Sequence, residues 1–233
     1  MKKYLLAIML ALPSIAFSGD YYITAKGGFS DTDNVGTVTS KEPDVDLLVY
    51  EDKDLGSGSA FGLSIGKHIT DNFRLELEVL KRNGYTFNAI PNGSARHFST
   101  GDVESSSVFV NALYDFNAFA LDNKTITPYM GVGVGLSRNK ADRFIAFQDN
   151  ERVHISETNS INELAYKFSA GMVVSLTESM FLDVGYQYVK LGDFESVNNY
   201  TDFDSNETQN YTTPIRGGEI DVHELMVGLR YKF

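Results

Sequence analysis

Apolar and polar residues alternate along eight stretches of this chain, near 20–30, 58–69, 72–82, 104–116, 126–138, 163–176, 179–190 and 220–233. A period of two predicts β-strands with two unlike faces. One face is apolar. It carries Tyr21, Ile23, Ala25, Gly27 and Phe29 in the first stretch, then Phe61, Leu63 and Ile65, then Phe73, Leu75, Leu77 and Val79. It continues with Val108, Val110, Ala112, Tyr114 and Phe116, with Met130, Val132, Val134 and Leu136, and with Leu164, Tyr166, Phe168, Ala170, Met172 and Val174. Leu182, Val184, Tyr186 and Tyr188 follow, and Leu225, Val227, Leu229, Tyr231 and Phe233 close the set. The other face is small, polar or charged: Lys26 and Gly28, Gly62, Ser64 and Gly66, Arg74, Glu76, Glu78 and Arg82, Asn111 and Asp115. Gly131, Gly133 and Gly135, Lys167, Ser169 and Gly171, Asp183, Gly185 and Gln187, and Glu224, Gly228, Arg230 and Lys232 complete it. An apolar face rimmed by aromatics, set against a face bearing charge, suits strands that meet lipid on one side and a polar lumen on the other.

Each stretch has about the 9–11 residues that a tilted strand needs to cross a bilayer, or slightly more. Slipping the register by one residue would put charge into lipid, at about 2–4 kcal/mol for a midplane Arg or Lys. The register is therefore strongly specified. No segment past the N-terminal leader approaches 18 consecutive apolar residues. A closed barrel is the other fold that satisfies its backbone inside hydrocarbon. The connections at Ile69–Asn72 and Leu176–Ser179 are tight and Phe116–Thr125 is modest, whereas 31–57, 83–103, 139–162 and 191–219 are all about twenty residues or more. The expected fold is all-β: an eight-stranded antiparallel up-and-down transmembrane barrel, with short periplasmic turns, four long extracellular loops and both termini periplasmic.

The chain ends agree with this. Met1-Lys2-Lys3, the apolar run Tyr4 to Leu12 and the small-x-small site Ala16-Phe17-Ser18 read as a secretory signal peptide. Cleavage after Ser18 is expected, leaving a single barrel domain over 19–233. Removing Lys2 and Lys3 takes the net charge from −11 to −13, which argues against nucleic-acid binding, since that needs a basic footprint. There is no cysteine, so the fold uses no disulfide in an oxidising compartment.

Three stretches carry a family resemblance. They are Val110-Asn111-Ala112-Leu113-Tyr114-Asp115-Phe116, the glycine-rich strand Thr127-Pro128-Tyr129-Met130-Gly131-Val132-Gly133-Val134-Gly135, and the closing strand Gly228-Leu229-Arg230-Tyr231-Lys232-Phe233. Together they resemble the small eight-stranded outer-membrane barrels of the opacity-protein and OmpA-like β-barrel superfamily, over essentially the whole mature chain. That group includes adhesins, immune-evasion antigens, colonisation factors (accessory colonisation factor A among the neighbours) and structural barrels. The resemblance implies residence in the bacterial outer membrane, in contact with lipid and lipopolysaccharide. It also implies that Leu229, Tyr231 and Phe233 form the signal read by the barrel-insertion machinery. No following peptidoglycan-binding domain is expected, so a wall-anchoring role is not expected to transfer.

The inward charges Lys26, Arg74, Glu76, Glu78, Asp115, Lys167, Asp183, Glu224 and Arg230 could line an ion pathway, or could pair in a ladder that fills the lumen. An eight-stranded interior is just wide enough for side chains, which favours the ladder. Tyr21, Tyr129, Tyr186, Tyr231 and Phe233 are candidate aromatic anchors at the hydrocarbon edges. Tyr85, Phe87, Phe98, Phe144, Phe147, Tyr200 and Tyr211 are candidate recognition aromatics in the loops, set against the plainer reading that they pack together on strands extending past the membrane. The acids of loops one and four read as a solvated, self-repelling surface, with calcium at Asp31-x-Asp33 or Asp44-x-Asp46 the alternative; no EF-hand spacing is present. His154-Ile155-Ser156 loosely resembles the His-x-Ser of outer-membrane lipid hydrolases, but it falls in a predicted loop, and a serine nucleophile needs an adjacent base and an orienting acid. The expectation is a non-enzymatic surface protein whose loops meet a host-surface ligand, with no catalytic, cofactor or metal site. A small pore and a lipid-modifying enzyme are the alternatives.

Overall fold

The computed structural model describes residues 20–33, 35, 38–41, 48–50, 55–89, 97–148, 151–196, 199–202, 207–210 and 213–233. The expected signal peptide lies outside them. Eight long strands are β1 (Tyr21–Thr32), β2 (Ser57–His68), β3 (Phe73–Ala89), β4 (His97–Asp115), β5 (Lys124–Gln148), β6 (Asn159–Ser175), β7 (Met180–Lys190) and β8 (Asp221–Lys232). Each pairs antiparallel with the next, and β8 returns to β1 with Ala25 opposite Leu229. The ring closes, so it has no open edge.

The alternation sorts side chains as the sequence predicts. Leu164 is 65% exposed while its neighbour Ala165 is fully buried; Leu225 is 65% exposed while Glu224 is fully buried. Phe61, Leu77, Val110, Val134 and Phe168 likewise face outward, and Arg74, Glu78, Asn111 and Lys167 face inward. The apolar residues are outside and the ions inside, the reverse of a domain that folds in water.

The strands run further than the alternation indicates. β3 and β4 continue as a paired hairpin to Ala89 and His97, and β5 continues to Gln148. The expected loops 83–103 and 139–162 are therefore largely paired strand. His154 and Ser156, expected in a loop, lie on the strand Glu151–Ser156, which folds back on the end of β5. The strand Asn199–Asp202 then pairs with Glu151–Ser156, and Thr208–Asn210 pairs with Asn199–Asp202. Four short strands, Val38–Lys41, Leu48–Tyr50, Phe194–Glu195 and Thr213–Gly217, form a second sheet from the first and fourth loops. At the opposite end the turns are short. The longest, before β5, carries a small strand, Phe119–Leu121, and turns at Asp122 with φ 51°.

Two bulges interrupt the wall. Register shifts between Arg82 and Tyr85 in β3, where Gly84 adopts φ 97°. It shifts again in β5 between Asp142 and Ile145, where Arg143 adopts φ 40°. A bulge inserts one residue and reverses the inside–outside alternation beyond it. Before the first bulge the even residues point inward; after it Tyr85 and Phe87 do. Before the second the odd residues point inward; after it Phe144 does.

Candidate functional site

The interior is a stack of three polar layers under an apolar cap. Next to the chain termini, the Arg74 guanidinium donates to the Tyr22 hydroxyl (2.9 Å) and to Asp115 (3.1 Å), and the Tyr22 hydroxyl donates to Glu76 (3.1 Å). Tyr129 donates to Asp183 (2.8 Å), which also takes a hydrogen bond from Arg230. The Arg74 guanidinium lies 4.8 Å over the Tyr129 ring, and that of Arg230 lies 4.4 Å over Tyr22. His68 sits 3.5 Å from Asp115 at the edge of a cavity of about 200 Å³ at this mouth.

In the middle layer Glu78 is held by Lys26 (2.6 Å), by Lys167 and by the Asn111 amide (2.8 Å). Lys26 also lies 3.7 Å from Glu76, which ties the two layers together. Gly133 makes this crossing sterically feasible, because a Cβ there would sit 2.2 Å from Asn111 Oδ1 and 3.0 Å from the Lys167 stem. In the third layer Glu224 accepts from Arg82 twice, from Ser30 (2.8 Å) and from Gln187 (2.5 Å), while Arg82 also donates to Ser107 (2.7 Å). The Tyr85 hydroxyl meets Ser30, joining this layer to the cap above.

Five cations (Lys26, Arg74, Arg82, Lys167 and Arg230) face five carboxylates (Glu76, Glu78, Asp115, Asp183 and Glu224) in this interior. The match decides how the interior is read. Charges taken out of water are costly alone and tolerated when paired and hydrogen-bonded. A set of opposite charges paired across the bore suits a plug better than an ion pathway lined by a ring of one sign, although Arg74 Nη2 and Arg230 Nε are buried without a hydrogen-bond partner among the described residues. Arg82 belongs to this set although its role was not assigned from sequence; its even spacing from Arg74 and Glu78 is the signal that identifies it.

The cap is apolar. Phe87 lies 5.4 Å from Phe144 and 6.0 Å from Phe194, and Phe144 stacks on Phe194 at 6.1 Å. Val38, Leu55, Val103, Ile215, Ile220 and Val222 are buried with them. The side-chain amide of Asn139 donates to the carbonyls of Leu191 (2.8 Å) and Asp193 (2.7 Å), drawing the start of the fourth loop across the barrel mouth.

Three of the loop aromatics follow the packing alternative and are interior. Tyr85, Phe87 and Phe144 are buried, turned inward by the bulges. Phe98 and Phe147 are register partners on β4 and β5, and Tyr200 lies opposite Ser156; their side chains, with those of His154 and Ser156, lie outside the described residues, as does Tyr211. Tyr129 is also corrected. It is a lumen residue bound to Asp183, because it shares the inward face of β5 with Gly131 and Gly133. Tyr21 lies under the Lys67 ammonium, and Tyr186, Tyr231 and Phe233 are on the outer wall. Asp31 accepts from Ser57 (2.6 Å) and Asp33 lies 2.8 Å from His223; Asp44 and Asp46 are outside the described residues. Beyond the apolar wall, the Thr158 hydroxyl and then the Lys140 ammonium hold the Asp142 carboxyl below the ordinary carboxylate range.

Similar proteins place this architecture. The family described as outer membrane protein beta-barrel domain matches residues 4–233. Two uncharacterised proteins of Brucella abortus are 24% identical over 216 residues, covering 81% of this chain and 73% of theirs. Among solved structures, outer membrane protein OprG from Pseudomonas aeruginosa is similar at a TM-score of 0.55 and 14% identity, covering 92% of this chain and 97% of its own. Neisserial surface protein A is similar at a TM-score of 0.50 and 18% identity, covering 91% and 97%. Those likenesses carry the fold, and the family match carries the bacterial outer membrane as its setting. The chain belongs to the outer membrane protein beta-barrel domain family.

Proposed function

We propose that this protein is a non-enzymatic display barrel, with its wall in the outer membrane, its loop end facing outward and both chain ends in the periplasm. It serves attachment to a host or neighbouring surface. In the same proposal residues 1–18 are removed as a signal peptide, and Leu229, Tyr231 and Phe233 present the closing strand to the insertion machinery. Tyr21, Tyr186, Tyr231 and Phe233 set the depth of the wall in the bilayer.

The observation that carries this reading is the extension of β3, β4 and β5 past the apolar wall as paired hairpins, above a lumen whose ions are paired across the bore. Paired strands hold a contact surface at a fixed height, whereas single loops would collapse onto the mouth. Phe98, Phe147, Tyr200 and Tyr211 are the aromatics proposed to meet the partner. The internal pairing of the lumen's acids and bases supports a role without chemistry.

The test replaces 89–98 and 147–154 by Asn-Gly turns and measures adherence of bacteria carrying each variant. Adherence is expected to fall to background while the variants still show the heat-shifted gel mobility of a folded barrel. Unchanged adherence would remove the reading.

A further inference from the structure

The outer wall is not equivalent all the way round. Over β3–β6 the last complete apolar row is Val79, Val108, Leu136 and Leu164, joined strand to strand by register. The next outward row is Lys81, Ser106, Arg138 and Asn162, and beyond it Lys140 stands between Glu104 and Ser160. Consecutive outward rows are about 7 Å apart along a strand. Two cations, Lys81 and Arg138, thus stand on the edge of the lipid-facing surface, and Lys140 stands one row beyond. They line an open groove of about 640 Å³ with Ser106, Thr158 and Ser160.

Two of the cations are partly committed. Lys81 lies 3.4 Å from Glu104 and Lys140 lies 3.0 Å from Asp142. Arg138 is exposed and has no ion-pair partner among the described residues. The opposite wall differs. There the row past Phe29, Leu225 and Tyr186 holds Asp31, His223 and Tyr188, and Lys190 is tied to Glu219 and to Asp221. A chain of net charge −11 has placed a guanidinium with no ion-pair partner among the described residues, and two exchangeable ammoniums, on one side of its rim.

We infer that this groove is a binding site for the phosphorylated headgroup of an acidic outer-leaflet lipid, with Arg138 as its centre and Lys81 and Lys140 beside it. Position selects a lipid over a free anion. Acyl chains lying on Val79, Val108, Leu136 and Leu164 bring their headgroup to the Arg138 row. The planar guanidinium matches two phosphate oxygens at once, and the Ser106 and Ser160 hydroxyls supply further donors, while the Thr158 hydroxyl is committed to Asp142. Each lysine exchanges a carboxylate for a phosphate without moving its stem. The inference rests on the outward placement of the loop end proposed above.

The test uses the folded full-length protein in detergent. Three probes are titrated separately: bis-phosphorylated lipid A, the same lipid A with its phosphates removed, and inorganic phosphate. Bound lipid is counted by native mass spectrometry. The unaltered protein is expected to retain bis-phosphorylated lipid A in preference to both other probes. R138Q alone weakens retention, and K81Q/R138Q/K140Q weakens it by at least about tenfold, since each surface cation adds attraction toward anionic lipid. The control K67Q/K190Q, with both cations elsewhere on the outer wall, leaves it unchanged. Equal retention by the triple variant, equal binding of the dephosphorylated lipid, or equally tight binding of inorganic phosphate overturns the inference. Orientation is read separately. The chain has no cysteine, so S160C labelled on intact cells by an impermeant maleimide reports which way the groove faces. Absence of labelling there refutes the outward loop end and leaves the detergent result to stand or fall alone.

Discussion

Arg82 and Glu224 meet across the lumen in a bidentate pair, Nε to Oε1 at 2.7 Å and Nη2 to Oε2 at 3.0 Å, 142 positions apart in the chain. Both side chains are fully buried. The two lie on β3 and β8, which are separated in the ring by β1 and β2, so the pair braces the barrel across its bore.

Removing one partner leaves the other charged and enclosed, which costs about 3–5 kcal/mol where such pairs are buried. R82M and E224L should each lower stability by about that amount in urea unfolding from detergent micelles. The double variant R82M/E224L should recover most of the loss, because no charge is left without a partner. A double variant as unstable as the sum of the singles would show that the residues act independently.

Gly66 faces the Tyr22 ring so closely that a Cβ would lie 2.2 Å from its Cζ. G66A should therefore displace Tyr22, loosen its bonds to Glu76 and Arg74, and destabilise by about 1–3 kcal/mol, as overpacking does. Y22A creates the missing space, so G66A/Y22A should be no less stable than Y22A alone. Additive losses in the same unfolding assay would refute the close approach.

Leu136 and Gly133 are two strand positions of opposite exposure on β5, and Leu136 is 63% exposed. L136R should cost about 2–4 kcal/mol in lipid vesicles if its row lies deep in hydrocarbon, with less loss nearer the interface. L136A should change little. If L136R proves neutral in vesicles, that face does not meet lipid.

The five-against-five ion set and the aromatic cap make steady channels unexpected. In planar bilayers the protein should show no lasting nanosiemens-scale conductance. Sustained openings of that size would replace the plug with a pore.

Phe194 joins the second sheet to the cap through Phe87 and Phe144. F194A should remove about 3–5 kcal/mol of packing from the cap. That loss should speed tryptic cleavage at Lys41 and Arg216, which lie on that sheet, while the eight-stranded wall resists. Cleavage at the original rate would mean that the cap is held by something other than these rings.

Reading from the chain succeeded where one rule governed each residue and failed where a local exception intervened. Lys26, Glu78, Lys167 and Glu224 lie inward because each sits at the inward parity of its own strand. For Tyr85 and Phe87 the sequence leaves recognition and mutual packing both open, because the bulge at Gly84 reverses parity and a glycine between asparagine and tyrosine does not announce a bulge. Phe144 is open for the same reason at Arg143, where even the glycine is missing. Tyr129 shows the opposite error. Its parity pointed inward, and its aromatic character was allowed to outweigh it.

The sequence by itself determined the strand number, the closed wall and the face each strand turns to lipid, because alternation is a local property and a one-residue slip exposes charge to hydrocarbon. Only the tertiary structure decided which cation holds which carboxylate, where the strands end, and how the first and fourth loops close the mouth. Those pairings join residues far apart in the chain. They depend on the stagger between strands and on two bulges, and nothing in the spacing of the residues encodes either.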